Sequence, residues 1–242
     1  GKIHGQINPL RSDGGGTVSG RFSYSSPNLQ QVPARDPEFG KMVRDLFVPD
    51  GHEYWGAFDY SQQEPRITVH YSYLTKQLGA EDAVKAYQGQ DADFHQIVAD
   101  MAGIDRKKAK TINLGLSYGM GRQKLTQALG LAEDEASVLF SQYHKKVPFI
   151  RGLSNACMRR ASNKGFITTL LGRKCRFNMY ESTTTNSIPL PYDKAVEKWG
   201  KEGLVRAYTY KALNRLIQGS AADMTKKAML DLWKEGYVPY VQ

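Results

Sequence analysis

The chain has 242 residues, enough to bury a sizeable core as one large domain or two smaller ones. Its 33 Lys and Arg against 24 Asp and Glu give a net charge of +9, a balance that suits a polyanionic partner or a generically basic surface. Two isolated cysteines, Cys157 and Cys175, exclude a disulfide framework and a cysteine-built metal cluster and point to a reducing, cytoplasmic setting; no stretch is apolar and long enough for a membrane span, so no membrane partner is expected, and the opening Gly1-Lys-Ile-His has no signal-peptide pattern.

Residues 1–33, rich in Gly, Ser and Asn, read as loop with short extended pieces. Within them Asp13-Gly-Gly-Gly16 lacks the Lys-Ser/Thr pair of a phosphate loop and reads as a turn. A brief helix is expected over 41–47. The aromatic run Tyr54-Trp-Gly-Ala-Phe58 is short for a helix and favours a strand. Ser61-Gln-Gln-Glu64 then fits the S-x-x-E box that opens helices, with Pro65 tolerated in a first turn. Asp59 is thereby expected at a strand-to-helix corner, where its carboxylate would suit a hard cation such as Mg²⁺. An ordinary turn at Asp59 and a plain cap at Glu64 explain the same residues.

From 63 to 161 the pattern is largely helical, punctuated at Gly79, Gly103, Gly130 and Pro148. Inside it, Arg106, Lys110, Leu114 and Tyr118 recur every fourth residue, and a drift of about 40° per step keeps them along one side of a helix. Two cations, an apolar side chain and an aromatic ring in that order suit a nucleoside triphosphate. Charge-assisted bonds to phosphate are worth about 1.5–3 kcal/mol each, and an apolar surface then meets sugar and base. A solvated basic face running into a buried Leu/Tyr face is the competing explanation. Residues 166–170 and 174–177, joined by Leu171-Gly172-Arg173, read as a hairpin. Residues 178–191 read as a polar, Thr-rich surface insertion, residues 205–234 as one long helix, and Tyr237 onward as the start of a strand.

These two segments lie in order between Gly20-Arg21-Phe-Ser…Pro27-Asn28-Leu-Gln30-Gln-Val-Pro33 and Leu213-Asn214-Arg-Leu-Ile-Gln218-Gly-Ser-Ala-Ala-Asp223. The set resembles the polymerase domain of family A DNA polymerases, the DNA polymerase I family, over essentially the whole chain. Asp59 to Arg66 is similar to that family's motif A and Arg106 to Gly119 to its motif B. The resemblance implies an α+β, predominantly helical chain forming part of the right-hand polymerase fold. Residues 1–62 would be palm with motif A, 63–204 fingers with the motif B helix and a surface insertion, and 205–242 the C-terminal part of the palm. The family carries a His-Asp-Glu strand beyond the Asn214–Gln218 helix; this sequence stops near its start. The expectation is therefore an internal fragment, without the second metal-binding carboxylate and inactive alone. Leu114 and the Gln63-Glu64-Pro65 wording point to a bacteriophage member.

The implied activity is template-directed transfer of a nucleotide from a dNTP to a primer 3′-hydroxyl with two Mg²⁺ ions, Mn²⁺ being an alternative. Primer-template DNA and dNTPs are the implied partners; no processivity partner is indicated. Asp59 and the Tyr60 carbonyl would hold metal. Lys110 would assist catalysis and, with Arg106 and His95, bind the triphosphate. Leu114 and Tyr118 would pack near the nascent base pair, and Glu64 with Gln62 would line the sugar pocket and exclude a ribose hydroxyl. Arg21, Asn28, Gln30, Arg35, Asn214 and Gln218 match DNA-tracking positions, since Arg, Asn and Gln can donate to minor-groove acceptors present in every base pair. Arg173 could be a solvated hairpin charge. A single-subunit RNA polymerase relative and a catalytically dead DNA-binding relative are the alternatives.

Overall fold

The glycine-rich first stretch folds into little regular structure, and the long helical stretch that follows supplies the larger core. The computed structural model describes residues 2–10, 15–33, 36–49, 54, 56–88, 93–117, 120–185 and 187–238. The chain divides into two compact units, Gly1–Ser61 with Ala222–Gln242, and Gln62–Ala221.

In the first unit, strands β1 (Gln6–Asn8) and β2 (Ser23–Ser25) pair antiparallel with Ile7 opposite Tyr24. Tyr24 is buried while Ile7 is exposed. Asn28 caps a 3₁₀ turn over Leu29–Gln31, its Oδ1 accepting from Gln30 N at 3.0 Å. Helix α1 (Phe39–Arg44) starts where Asp36 Oδ1 accepts from Glu38 N and Phe39 N, slightly ahead of the expected 41–47. Lys226 Nζ lies 4.3 Å from the Phe22 ring centre and 3.3 Å from the Pro9 carbonyl.

Two local expectations fail here. No strand forms over the described part of 54–58, where Tyr54 and Phe58 are 95% and 80% exposed and no described residue pairs with the backbone. Aromatic strand propensity expresses packing on a pleated surface, and without a ladder it has nothing to act on. Nor does Ser61 open a capping box: the residue preceding the next helix is Gln62, in the left-handed conformation (φ 52°), making no side-chain cap. Glu64 therefore lies in the first turn one position early for such a box, where its charge still complements the helix dipole.

The second unit runs through α2 (Gln63–Leu74), α3 (Ala80–Ala86), α4 (Phe94–Ala102), α5 (Arg106–Ser117), α6 (Arg122–Leu129), α7 (Glu133–Lys146) and α8 (Pro148–Lys164). The expected punctuation holds. Gly103 and Gly130 end α4 and α6 at positive φ, which glycine adopts without steric cost, and Pro148 occupies the first turn of α8. In α7, acids at 133–135 and the lysines at 145 and 146 both complement the dipole. The helices close over a core that includes Val98, Ile112, Tyr143, Phe149 and Ile150, with small Ala83, Ala99, Ala109 and Ala136 letting backbones approach.

Strands β3 (Phe166–Thr168) and β4 (Lys174–Arg176) form the expected hairpin, with Ile167 opposite Cys175. The stretch read as a polar surface insertion is more ordered than that. Strand β5 (Met179–Ser182) is central in a sheet of order β6-β5-β7 with β6 (Leu190–Pro191) and β7 (Leu204–Arg206), and α9 (Tyr192–Trp199) connects the outer two. Tyr180 holds it together, with Tyr192 edge-on at 5.0 Å and the Arg206 guanidinium 5.0 Å from its ring centre. Because Val205 pairs with Glu181, the last helix does not start at 205; α10 spans Ala212–Lys234 after a 3₁₀ turn at Thr209–Lys211.

Arg173 is not a solvated hairpin charge, since its Nη2 donates to the Gly219 carbonyl of α10 at 3.0 Å. Leu170 N donates to Ser220 Oγ at 3.0 Å, and Gln63 Nε2 to the Ala221 carbonyl at 3.2 Å. Both cysteines are buried; burial pushes the Cys157 thiol up to about 12 against the pull of Arg160, so it is no nucleophile. Among the described residues no helix is long and apolar enough to cross a membrane.

Candidate nucleotide-binding site

Helix α5 presents two chemically different faces. Ala109, Ile112 and Asn113 are buried in the helical core, while Arg106, Lys110 and Leu114 are exposed, Leu114 by 40%. The cationic stripe read from the sequence is therefore the outward face; its fourth member, Tyr118, lies outside the described residues. Arg106, Lys107, Lys108 and Lys110 crowd the helix N-terminus, and no acid occupies the first turn. Cations belong at the other end of a helix, so this placement opposes the macrodipole by about 0.3–1 kcal/mol each. It is also what an anion site requires, because the dipole and the side-chain charge both attract phosphate.

Two aspartates offset the crowding. Asp105, just before α5, accepts from Lys108 N at 2.9 Å and lies 3.7 Å from Lys108 Nζ. Asp93 caps α4, its Oδ1 accepting from His95 N at 2.8 Å and Gln96 N at 3.2 Å. Its Oδ2 accepts from Arg106 Nε at 2.9 Å and Nη2 at 2.6 Å. Burial works against ionising Asp93, but Arg106 and the backbone donors prevail and hold its carboxyl below the usual range. Of the five guanidinium N–H groups, Asp93 engages two.

Gln62 and His95 complete the surroundings. Gln62 Oε1 accepts from Tyr87 OH and from Phe94 N, both at 2.8 Å, so the start of α2 is tied to the first turn of α4. Burial pushes the Tyr87 phenol up, opposed by Arg66, whose guanidinium lies 4.9 Å from the ring centre. His95 Nδ1 is 3.2 Å from Asn113 Nδ2, and Tyr143 OH donates to Asn113 Oδ1. Burial lowers the imidazole pKa, Asp93 opposes this, and Arg106 and Lys110 add to it, so the ring is neutral at pH 7.

The structure thus gathers Gln62, His95, Arg106 and, through the same α5 face, Lys110 and Leu114. Glu64 is half-buried in the first turn of α2, its backbone carbonyl accepting from Thr68 Oγ1 at 2.9 Å. Asn214 and Gln218, four residues apart on α10, share one side of that helix and are half-buried. In the other unit, Asp59 and Tyr60 are exposed and Arg21 is exposed. Gln30 Nε2 donates to the Phe22 carbonyl at 3.4 Å. Arg35 lies outside the described residues. Sequence reasoning missed Asn113 and Tyr143, although a polar residue at a buried register of α5 was a signal available in the pattern.

Among the described residues no three His, Cys, Asp or Glu side chains converge to cage a metal. Mg²⁺ needs no such cage; it takes one or two carboxylates plus water and substrate phosphates. The exposed Asp59 carboxylate makes no salt bridge or hydrogen bond among the described residues, so its chemistry and availability fit a Mg²⁺ site.

Helix α5 thus turns its cations outward at its positive end, with no acid in its first turn. Residues 1–237 match the model of DNA polymerase family A, and the chain belongs to that family. It is 41% identical to a DNA-directed DNA polymerase of Pseudomonas phage M6, over 95% of this chain and 39% of the phage protein. Identity to the thermostable DNA polymerase I of Thermus aquaticus is 31%, over 96% of this chain and 26% of that protein. Among solved structures, the polymerase domain of Pol1 from M. smegmatis, in complex with DNA primer-template and dNTP, superposes with a TM-score of 0.69 at 29% identity, over 97% of this chain and 39% of that one. The chain spans about two fifths of the length of the phage relatives it matches.

Proposed function

We propose that this chain carries the nucleotide-binding part of a template-directed DNA polymerase, which transfers a nucleotide from a dNTP to a primer 3′-hydroxyl. The observation that carries the reading is the α5 N-terminus, where Arg106 and Lys110 face outward against the helix dipole beside a neutral His95. In this reading residues 1–62 and 205–242 contribute palm and 63–204 fingers. Asp59 and the Tyr60 carbonyl would hold Mg²⁺, which supplies charge neutralisation for the attacking and leaving oxygens. Arg106, steadied by Asp93, and Lys110 bind the triphosphate; Lys110 would give a proton to departing pyrophosphate. Leu114 and Tyr118 pack against the base pair. Glu64 limits space at the sugar C2′, and Gln62 supports that pocket by holding the start of α4. Arg21, Asn28, Gln30, Arg35, Asn214 and Gln218 track the primer-template.

The test is a chimera in which residues 1–242 replace the matching stretch of the Pseudomonas phage M6 polymerase. Mg²⁺-dependent primer extension is expected. Asp59→Asn should abolish it and leave primer-template binding nearly intact, because DNA affinity comes mainly from backbone contacts. Lys110→Ala should slow single-turnover incorporation by about 2–3 kcal/mol, the worth of one charge-assisted contact. If Arg106→Ala and Lys110→Ala changed only DNA affinity and its salt slope, α5 would be a duplex-binding face and the proposal would fail.

A further inference from the structure

We infer that Asn113 and Tyr143 are positioning residues that fix His95 as its Nε2–H tautomer, so that the imidazole meets the incoming triphosphate as a neutral hydrogen-bond donor. The inference rests on the reading of His95 as a triphosphate contact. Its starting point is the buried end of the chain of bonds. Tyr143 is fully buried on α7, and its phenol hydrogen must find an acceptor there. Burial also raises its pKa, so the hydrogen stays on. The acceptor is Asn113 Oδ1, thirty residues earlier in the chain.

That bond orients the carboxamide. With Oδ1 committed to Tyr143, Nδ2 faces His95 Nδ1 at 3.2 Å, and Nδ2 can only donate. Nδ1 must therefore present its lone pair. A neutral imidazole carries one N–H, which falls on Nε2. Nε2 is neither hydrogen-bonded nor sealed from solvent among the described residues. The opposite carboxamide orientation would leave the phenol hydrogen without an acceptor, put Oδ1 against Nδ1, and turn an acceptor lone pair outward, which phosphate oxygens would repel.

The arrangement also disfavours the imidazolium, because a second N–H at Nδ1 would meet the Asn113 donor head-on. The charged groups around the ring divide: Asp93 favours protonation, while Arg106 and Lys110 oppose it. A neutral donor adds a phosphate contact beside those two cations without a third charge to repel them. Asn113 is only 2% exposed, at a helix register shared with Ala109 and Ile112, where an apolar side chain would avoid desolvating an amide. Orientation of His95 gives that polar choice a purpose.

The test uses the 242-residue chain with ¹⁵N-labelled histidine. Long-range ¹H–¹⁵N correlation reads each imidazole tautomer, and His95→Gln identifies the His95 signals. At neutral pH wild-type His95 should be the Nε2–H form. Asn113→Asp should accept from Tyr143 and from Nδ1–H at once, converting His95 to the Nδ1–H form or to imidazolium with a raised pKa. Tyr143→Phe keeps the packing but frees the carboxamide, and a tautomer mixture is expected. Inorganic tripolyphosphate should shift the wild-type His95 Nε2 signal, with affinity about three- to tenfold weaker in Tyr143→Phe. A wild-type Nδ1–H form, or an unchanged His95 spectrum in folded Asn113→Asp and Tyr143→Phe, overturns the positioning role. An Nε2–H form that tripolyphosphate leaves unmoved overturns instead the phosphate contact on which it rests.

Discussion

Asp93 performs two tasks with two oxygens, and substitution can separate them. Oδ1 caps α4 and Oδ2 holds Arg106. An N-cap is worth about 1 kcal/mol, within a range of about 0.5–2. The ion pair is worth less than its short contacts suggest, because the Arg106 and Asp93 side chains are 50% and 34% exposed; solvent screening leaves about 0.2–1 kcal/mol. Asp93→Asn retains an oxygen for the cap and loses only the charge, so about 0.5 kcal/mol should go. Asp93→Ala loses both, for about 1.5 kcal/mol in total. Urea unfolding of the chain and its variants measures these losses, and a double-mutant cycle with Arg106→Gln isolates the pair. The coupling should shrink as salt rises. Because the folded pKa of Asp93 is depressed, its contribution is present above the unfolded carboxylate range and lost as pH falls through the folded value. The gap between wild type and Asp93→Asn should therefore close in acid. If Asn costs as much as Ala, or the cycle shows no coupling at low salt, the division of labour between the two oxygens is wrong.

Two glycines should respond in opposite directions to the same substitution. A Cβ at Gly115 of α5 would stand 2.6 Å from Leu125 Cδ1 inside the core, so Gly115→Ala should destabilise by about 1–2 kcal/mol after its helix-propensity gain. At Gly152 of α8 the obstruction is the end of the Gln77 side chain, which can swing aside because its two bonds to Thr75 are exposed and water can replace them; Gly152→Ala should stabilise by up to about 1 kcal/mol, and equal urea midpoints for the two variants would contradict both readings. In the phage chimera, Leu114→Tyr should relax discrimination against dideoxynucleotides, because a hydroxyl can replace the missing sugar 3′-hydroxyl, whereas Leu114→Phe should change little. Equal terminator use by all three would make Leu114 ordinary packing.

What the sequence made legible was local. Gly103, Gly130 and Pro148 end or begin helices by backbone preference alone, and the α5 stripe follows from helical periodicity. What it concealed depended on partners far along the chain. The aromatic run near Tyr54 has no described strand beside it, and the β6-β5-β7 sheet exists because residues 179–182 find 204–206. Asn113 was passed over for a related reason. Reading every fourth residue selected the exposed face, while the orienting amide stands on the buried one, against a tyrosine from α7.

The first turn of α4 shows why such concealed contacts bear on function. Its leading N–H donates to Gln62 from the start of α2, its cap Asp93 grips Arg106 on α5, and His95 within it receives Asn113 from the middle of α5. Three bonds thus meet on one helical turn. Losing any one leaves two, so His95 should keep its place when Gln62 or Asp93 is replaced. Its tautomer has no such redundancy, because only Asn113 addresses Nδ1 among the described residues. Position is over-determined here and the tautomer is singly determined, which makes the buried amide the point where one substitution would alter the chemistry of the ring without displacing it.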